Sequence, residues 1–262
     1  TSLFRASQIG RVAGWWTRRP VVSSFTNTPY SAARREWDPA ARGWKHFLLH
    51  RADQTTSLLP TAFHSVSDSV AQQNCRDLHI AEQRVHTVYR GRDTKKFREI
   101  PATEKQQLRE TLGVNNGPLL LNIGRLVPQK GQRLAIEMMA QLLETHPQAT
   151  LLIAGSGPDE GKLSQLIQKK GLDGRVRLLG HRDDIPQLLA IADVFVFPSH
   201  YEGLPGAIVE AMLAGAPIAC SQIPMHEEFI VDNENGTLFS PADVDGMTQA
   251  ITMLLQNPMK GQ

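Results

Sequence analysis

From residue 118 onward the chain alternates short apolar runs with longer segments of helical period, and no other feature constrains its fold as strongly. The stretches 118–124, 149–154, 175–179, 193–197, 217–220 and 236–239 are compact and dominated by Leu, Ile, Val, Phe and Ala. Runs of that length mark strands buried on both faces. Between the first two, residues 131–145 place Leu134, Met138 and Leu142 at i, i+4 and i+8 beside Ala135, Met139 and Leu143. That is a helical stripe, and its methionines read as core. Further helices are predicted at about 159–170, 183–191, 206–214 and 242–256. Strand and helix alternating over short links require a parallel sheet covered on both faces, an α/β doubly wound domain.

The first hundred residues alternate less clearly. Strands are predicted near 21–26, 63–67 and 84–89, and helices at 44–50 and 68–76, which is few strands for a complete domain. Residues 90–101 are polar and basic and suit a linker. Thr103 is then placed to cap a helix ending near Gly113, with Gln106 completing a capping box. The expected organisation is a partial N-terminal domain and linker over 1–101 and a ligand-binding domain over 102–262.

Composition narrows the class. Of 262 residues, 41% are hydrophobic and 21% charged, which excludes a disordered or fibrous chain. No apolar run approaches the roughly 18 residues that span a bilayer. The two cysteines, Cys75 and Cys220, lack a metal-type spacing, which argues for a reducing, cytoplasmic setting and against a disulfide scaffold or a structural zinc site. The net charge of +2 hides an asymmetry: residues 1–100 carry 16 Lys and Arg against 8 Asp and Glu, and the remainder 12 against 18. All four tryptophans, Trp15, Trp16, Trp37 and Trp44, also fall early. A basic, tryptophan-bearing segment suits an anionic membrane surface, here the cytoplasmic face, or a phosphorylated acceptor. A solvated basic face with its tryptophans in a core suits it equally.

In an open parallel sheet, ligands bind beyond the carboxyl ends of the strands. After the run 118–123 come Gly124, Arg125, Lys130 and Gly131, two cations on a loop that opens a helix. Fixed positive charge beside helix N–H groups suits a diphosphate, although two surface cations would look the same. After 149–154 comes Gly155-Ser156-Gly157-Pro158, a glycine-rich strand-to-helix turn that lets a ligand approach the backbone. As a dinucleotide fingerprint it fails, because Glu160 stands where a third glycine is required and the next strand ends in Gly180 rather than an acid. After 193–197 comes the most informative segment, in which Glu202 lies on a loop and Glu210 on the following helix, with Gly203, Leu204, Gly206 and Ala207 offering N–H groups between them. A carboxylate on each side of an anion-binding turn suits a sugar nucleotide, one acid on sugar hydroxyls and the other on a ribose diol. The plainer reading is a solvated Glu202 and a surface Glu210. His46 and His50 stand i, i+4 on a predicted helix, but no acid accompanies them as a metalloprotease helix requires; no metal site is expected.

These stretches together resemble the retaining glycosyltransferases of family 4, which have the GT-B fold. The resemblance runs from about Val21 to Pro258 and rests on Asn122-Ile-Gly-Arg-Leu-Val-Pro-Gln-Lys-Gly131, Ala154-Gly-Ser-Gly-Pro158, Leu178-Leu-Gly180, Glu202-Gly-Leu-Pro205 and Glu210-Ala-Met212 in that order. It implies that Arg125 and Lys130 bind the donor diphosphate, that Glu202 holds the transferred sugar, that Glu210 holds the ribose, and that Gly180 and His181 lie near the base. Gly124, Gly155, Gly157, Gly203, Leu204 and Gly206 would complete the donor site. Glu228 matches a less specific family glutamate, and Thr26 stands where many relatives carry a histidine.

The implied reaction is transfer of a hexosyl group from a nucleoside-diphosphate sugar, UDP- or GDP-linked, to the hydroxyl of a sugar or lipid-linked acceptor with retained configuration. No cofactor, metal or nucleic-acid partner is implied, since the cations and the helix start would neutralise the leaving diphosphate. The basic early segment resembles the second half of the family's acceptor-binding domain. The family's usual first strand with its glycine-rich loop, and its last helix, find no counterpart here, so a chain truncated at both ends is expected. A non-catalytic nucleotide-sugar-binding fragment is the alternative.

Overall fold

The computed structural model describes residues 2–97, 99–114 and 117–257, with side chains from residue 6. Pro258, the far end of the family resemblance, and the rest of 258–262 lie outside them. The described chain forms two compact units. Of the described residues, the first comprises those up to 91 and 201–204, the second those from 92 to 200 and 205–257.

In the first unit, helix α1 (Ser2–Trp16) leads into strand β1 (Val22–Phe25), helices α2 (Ala32–Trp37) and α3 (Trp44–Thr56), strand β2 (Ala62–Ser65), helix α4 (Asp68–Leu78) and strand β3 (Val85–Thr87). The strands form a parallel sheet in chain order, with Phe25 opposite Ser65 and Phe63 opposite Val85. Phe25 and Phe63 stack at 4.8 Å in its core. Ser67 caps α4, its hydroxyl oxygen accepting from the Val70 amide at 3.2 Å. Helix α1 was not anticipated by periodicity, because Ile9, Val12, Trp15 and Trp16 face solvent instead of a core. Its hold on the unit is polar. Buried Asp53 of α3 accepts from Gln8 at 2.8 Å, from the Arg11 guanidinium, and from the Tyr30 hydroxyl at 3.0 Å. Burial and the Asp53 carboxylate together push the Tyr30 hydroxyl far above its ordinary value, so it stays a donor.

The plainer reading, with the tryptophans in a core, fails for three of the four, and Trp37 is half-buried. Trp15, Trp16 and Trp44 are 63%, 79% and 69% exposed. The predicted strand at 84–89 shrinks to the three residues of β3. His46 and His50 are packing residues: both rings contact Tyr30, and His50 Nε2 lies 2.7 Å from the Asp77 carbonyl oxygen.

The second unit opens with helix α5 (Ala102–Thr111) and continues with strand β4 (Leu119–Ile123), helix α6 (Gln132–Thr145), strand β5 (Thr150–Ala154), helix α7 (Glu160–Lys169), strand β6 (Val176–Gly180), helix α8 (Ile185–Ile191) and strand β7 (Val194–Phe197). Helix α9 (Gly206–Leu213), strand β8 (Ile218–Ser221), helix α10 (Pro224–Glu227), strand β9 (Thr237–Phe239) and helix α11 (Val244–Gln256) complete it. All six strands are parallel, in the order β6-β5-β4-β7-β8-β9. The pleat sends Leu120, Leu151, Ile153, Val194 and Val196 to a core beneath α6, α7 and α11, and Leu119, Leu121, Leu152, Phe195 and Phe197 to a second core beneath α5, α8 and α9. The doubly wound α/β domain expected from the apolar runs is therefore present. One local expectation fails. Helix α5 starts at Ala102 behind Pro101, with no side-chain cap, so Thr103 is already inside the helix. Gln106 bonds Glu110 at 3.1 Å instead of closing a capping box.

The Asp53 cluster carries a stability prediction. Asp53→Ala leaves the Arg11 guanidinium buried without its carboxylate, and loss of one partner of a buried pair costs about 3–5 kcal/mol. Urea unfolding followed by near-ultraviolet circular dichroism should show that loss, with α1 detaching first. A loss below about 1 kcal/mol would mean that α1 is held by something else.

Candidate functional site

The order of the six-stranded sheet sets where a ligand can sit. From β4 the chain winds outward through β5 to β6, then returns to the other side of β4 and winds through β7 to β9. The loops after β4 and β7 therefore diverge at the point where the winding reverses, and such a crevice at the carboxyl ends of the strands is the ligand position of open α/β sheets. The sequence places Gly124–Gly131 and Pro198–Pro205 on these two loops.

The loops lock onto one another through backbone. The His200 amide donates to the Gln129 carbonyl at 2.9 Å. Gly131 takes φ of +65° at the start of α6, and a methyl group there would collide with the Pro198 carbonyl. The next loop joins in the same way: the Leu126 amide donates to Ser156 at 3.0 Å, and the Gly155 amide to Gly180 at 2.7 Å. Gly155 has φ of +143°, and a side chain there would strike the Gly124 carbonyl. That glycine is thus required by loop packing as well as by any approach of a ligand. Gly124, Arg125, Lys130, Gly155, Gly157 and Gly180 are brought together at this end of the sheet.

The charged residues differ in surroundings. The Arg125 side chain is exposed and makes no hydrogen bond or ion pair with a described residue. Lys130 is half-buried, its ammonium 5.0 Å above the Phe197 ring. Exposed His181 lies 3.2 Å from Asp183. Helix α9 begins at Gly206 behind Pro205, and its first turn closes from Ile208 to the Pro205 carbonyl at 2.9 Å. The N–H groups of Gly206 and Ala207 thus stand at the open end of the helix. Glu210 is not the ordinary surface acid of the plainer reading: its Oε1 accepts from Arg92 Nε at 2.7 Å, both side chains being about one quarter exposed. Arg92 is a residue that the sequence reading missed.

Glu202, Gly203 and Leu204 belong with the first unit. There the Ser67 hydroxyl donates to the Gly203 carbonyl at 3.4 Å, and Gly203 packs against the Thr26 carbonyl. Glu202 is 5% exposed, so it is not the solvated acid of the plainer reading. A carboxylate buried this deeply needs partners, which is more than an incidental surface acid requires.

Residues 104–262 match the family described as glycosyl transferases group 1. The chain belongs to that family. Among individual relatives it is 28% identical over 233 residues to the alpha-D-kanosaminyltransferase of Streptomyces kanamyceticus, covering 88% of this chain and 58% of that one. It is 32% identical over 249 residues to the UDP-Gal:alpha-D-GlcNAc-diphosphoundecaprenol alpha-1,3-galactosyltransferase of Escherichia coli, covering 93% and 62%. This group 1 chain therefore spans less than two thirds of either relative's length. Among solved structures, Anabaena HepE in complex with UDP and glucose superposes with a TM-score of 0.86 at 25% identity, over 98% of this chain and 68% of HepE. The fold is accordingly of the GT-B glycosyltransferase type, as the motifs implied.

Two buried histidines underlie the site of this group 1 chain. His226 follows β8, lies 5.3 Å from the Phe197 ring and has its Nδ1 2.7 Å from the Ser221 carbonyl. Burial lowers its pKa to about 3, the Ser221 bond opposing and Lys130 adding to the shift. Burial alone lowers His200 to about 4. Both are neutral in the folded protein, while in the unfolded chain they protonate near pH 6.5. Below pH 6.5 the unfolded state binds more protons, so stability present above that pH falls as pH drops toward 4. For His226 the loss between pH 6.5 and 4.5 should be on the order of 2–3 kcal/mol. Urea unfolding at both pH values should show a smaller pH dependence in His226→Gln than in the parent. The same dependence in both would mean that His226 is not a buried neutral base.

Proposed function

We propose that the chain supplies the donor-binding side of a retaining, family 4-type glycosyltransferase that moves a hexosyl group from a nucleoside-diphosphate sugar to an acceptor hydroxyl. The observation that carries this reading is the meeting of Arg125, Lys130, the backbone-locked glycine loops and the open end of α9 where the sheet reverses its winding. UDP and glucose in the HepE complex, and the UDP-sugar in the name of the E. coli relative, support a donor of the same class.

In this reading Arg125 and Lys130 neutralise the diphosphate as it leaves, with the Gly206 and Ala207 amides adding fixed dipoles at the helix start. Gly180 and His181 flank the base, and Glu210 accepts from the ribose hydroxyls. Glu202 holds the sugar where positive charge develops as the bond to the diphosphate lengthens. Its carboxylate then matters more in the transition state than in the ground state. Attack of the acceptor on the face that the diphosphate leaves retains configuration, and a departing phosphate oxygen takes the acceptor proton. That route needs no separate nucleophile and base. Residues 1–101 would supply the acceptor side, and the protein would act in the cytoplasm or at the cytoplasmic face of a membrane.

Calorimetry with UDP, GDP and ADP tests the donor site. One of them should bind, and Arg125→Ala should weaken it by about tenfold, the worth of one charge-assisted hydrogen bond. In steady-state transfer Glu202→Gln should lower kcat by about 10²-fold, the effect of losing one preorganised electrostatic contact. Folded protein that binds none of the three nucleotides would exclude the site. Nucleotide binding without turnover of any UDP- or GDP-sugar would favour the binding fragment.

The exposed tryptophans favour a lipid surface as the setting of the acceptor. Ile9, Val12 and Trp16 lie at i, i+3 and i+7 on α1, followed by exposed Arg18 and Arg19, and Trp44 and Phe47 of α3 stand exposed beside Lys45. Apolar rings next to cations suit an anionic interface. Vesicles containing phosphatidylglycerol should shift tryptophan fluorescence to the blue, and neutral phosphatidylcholine vesicles should not. The shift should fade as salt rises. Equal spectra with both lipids would leave a merely solvated face.

A further inference from the structure

Among the described residues of the second unit, Arg92 is a cation that bonds a residue of the proposed donor site from outside that site's motifs. It enters from the segment between β3 and α5, where Asp93 turns the chain by accepting from the Lys95 amide at 3.2 Å. Its Nε meets Glu210 Oε1 at 2.7 Å, and the far end of its guanidinium lies against Gly206, where an added methyl group would collide with Nη2. The side chain thus spans the first turn of α9 from Gly206 to Glu210. A planar guanidinium that bonds through Nε and packs over Gly206 fixes the carboxylate it bonds better than a lysine could.

We propose that Arg92 is a positioning residue for the donor: it occupies one oxygen of Glu210 and holds the other toward the ribose hydroxyls. The proposal rests on the assignment of Glu210 to the ribose. Unrestrained, a glutamate side chain samples several rotamers and loses that freedom on binding. With Arg92 in place the loss has already been met on folding. Arg92 acts equally on the ground and transition states, because the ribose does not change during transfer, so its effect falls on KM and not on kcat.

The test is binding of UDP and of 2′,3′-dideoxy-UDP to the parent, Arg92→Gln, Arg92→Lys, Glu210→Gln and the Arg92→Gln/Glu210→Gln double variant, with donor KM and kcat measured alongside. The pair is partly exposed and adds little to stability, so the variants should fold with parental circular dichroism. Arg92→Gln should weaken UDP by about tenfold, as loss of one charge-assisted bond does, and leave kcat within about twofold. Arg92→Lys should restore part of the affinity, and the double variant should bind no worse than Glu210→Gln. Dideoxy-UDP, without the hydroxyls that Glu210 would accept from, should bind all five proteins alike. Gly206→Ala displaces the guanidinium and suits a helix, so it should reproduce Arg92→Gln in the parent and add nothing to it. Parental UDP affinity in Arg92→Gln, with Glu210→Gln weakened, would overturn the role of Arg92 and leave the ribose assignment standing. UDP affinity unchanged in Glu210→Gln would overturn both. Additive losses in the double variant, or dideoxy-UDP weakened as much as UDP, would show Arg92 acting independently of Glu210.

Discussion

The reversal of winding between β4 and β7 is the constraint on which the rest of the second unit depends. Because the chain leaves β4 for one side of the sheet and returns on the other, the loops after these two strands must part, and a crevice is left at their carboxyl ends. The backbone then closes around it: His200 bonds Gln129, Leu126 bonds Ser156, and Gly155 bonds Gly180. Loops fixed by backbone bonds, at positions where side chains would collide, keep their N–H groups and the backbone that carries Arg125 and Lys130 in place without help from a ligand. Preorganisation of that kind is what electrostatic stabilisation of a leaving diphosphate demands.

Beneath this crevice the protein keeps charge out. Lys130 rests on the Phe197 ring, and His226, buried and neutral, lies 5.3 Å from the same ring. A protonated His226 would add a second positive charge at a buried position that the charge of Lys130 already disfavours. The first unit solves the opposite problem. There a carboxylate, Asp53, is buried, and its donors Gln8 and Arg11 tie α1 to the body of the unit while Tyr30 adds a third bond. The apolar residues of α1 are left free to face outward.

How much of this was legible follows from the range of each interaction. Strands buried on both faces carry a dense local signal, so β4, β5 and β7 and the helices between them read directly from the chain. Glycines at forced positions, such as Gly131 and Gly155, read as loop markers, although their role in loop-on-loop packing needs the neighbouring carbonyl to be seen. Helix α1 escaped because its apolar residues point to solvent and its anchors are polar groups reaching Asp53, 42 residues beyond Arg11. Arg92 escaped for the same reason. It sits in a basic segment that reads as linker, and its partner Glu210 lies 118 residues away. The cap of α5 was misplaced because Thr103 and Gln106 satisfy the local pattern, while Pro101 fixes the start two residues earlier. Periodicity reports which face is buried, and it is silent on ion pairs between distant segments.

The claim that the end of the sheet at β4, β5 and α9 receives a nucleoside diphosphate is tested most directly by amide hydrogen exchange with and without saturating UDP or GDP. The account predicts slowed exchange at residues 124–131, 155–157 and 206–210, larger than in α7 or α11 of the same unit. Slowing confined to other segments, or no change at these amides with nucleotide in large excess, would contradict it.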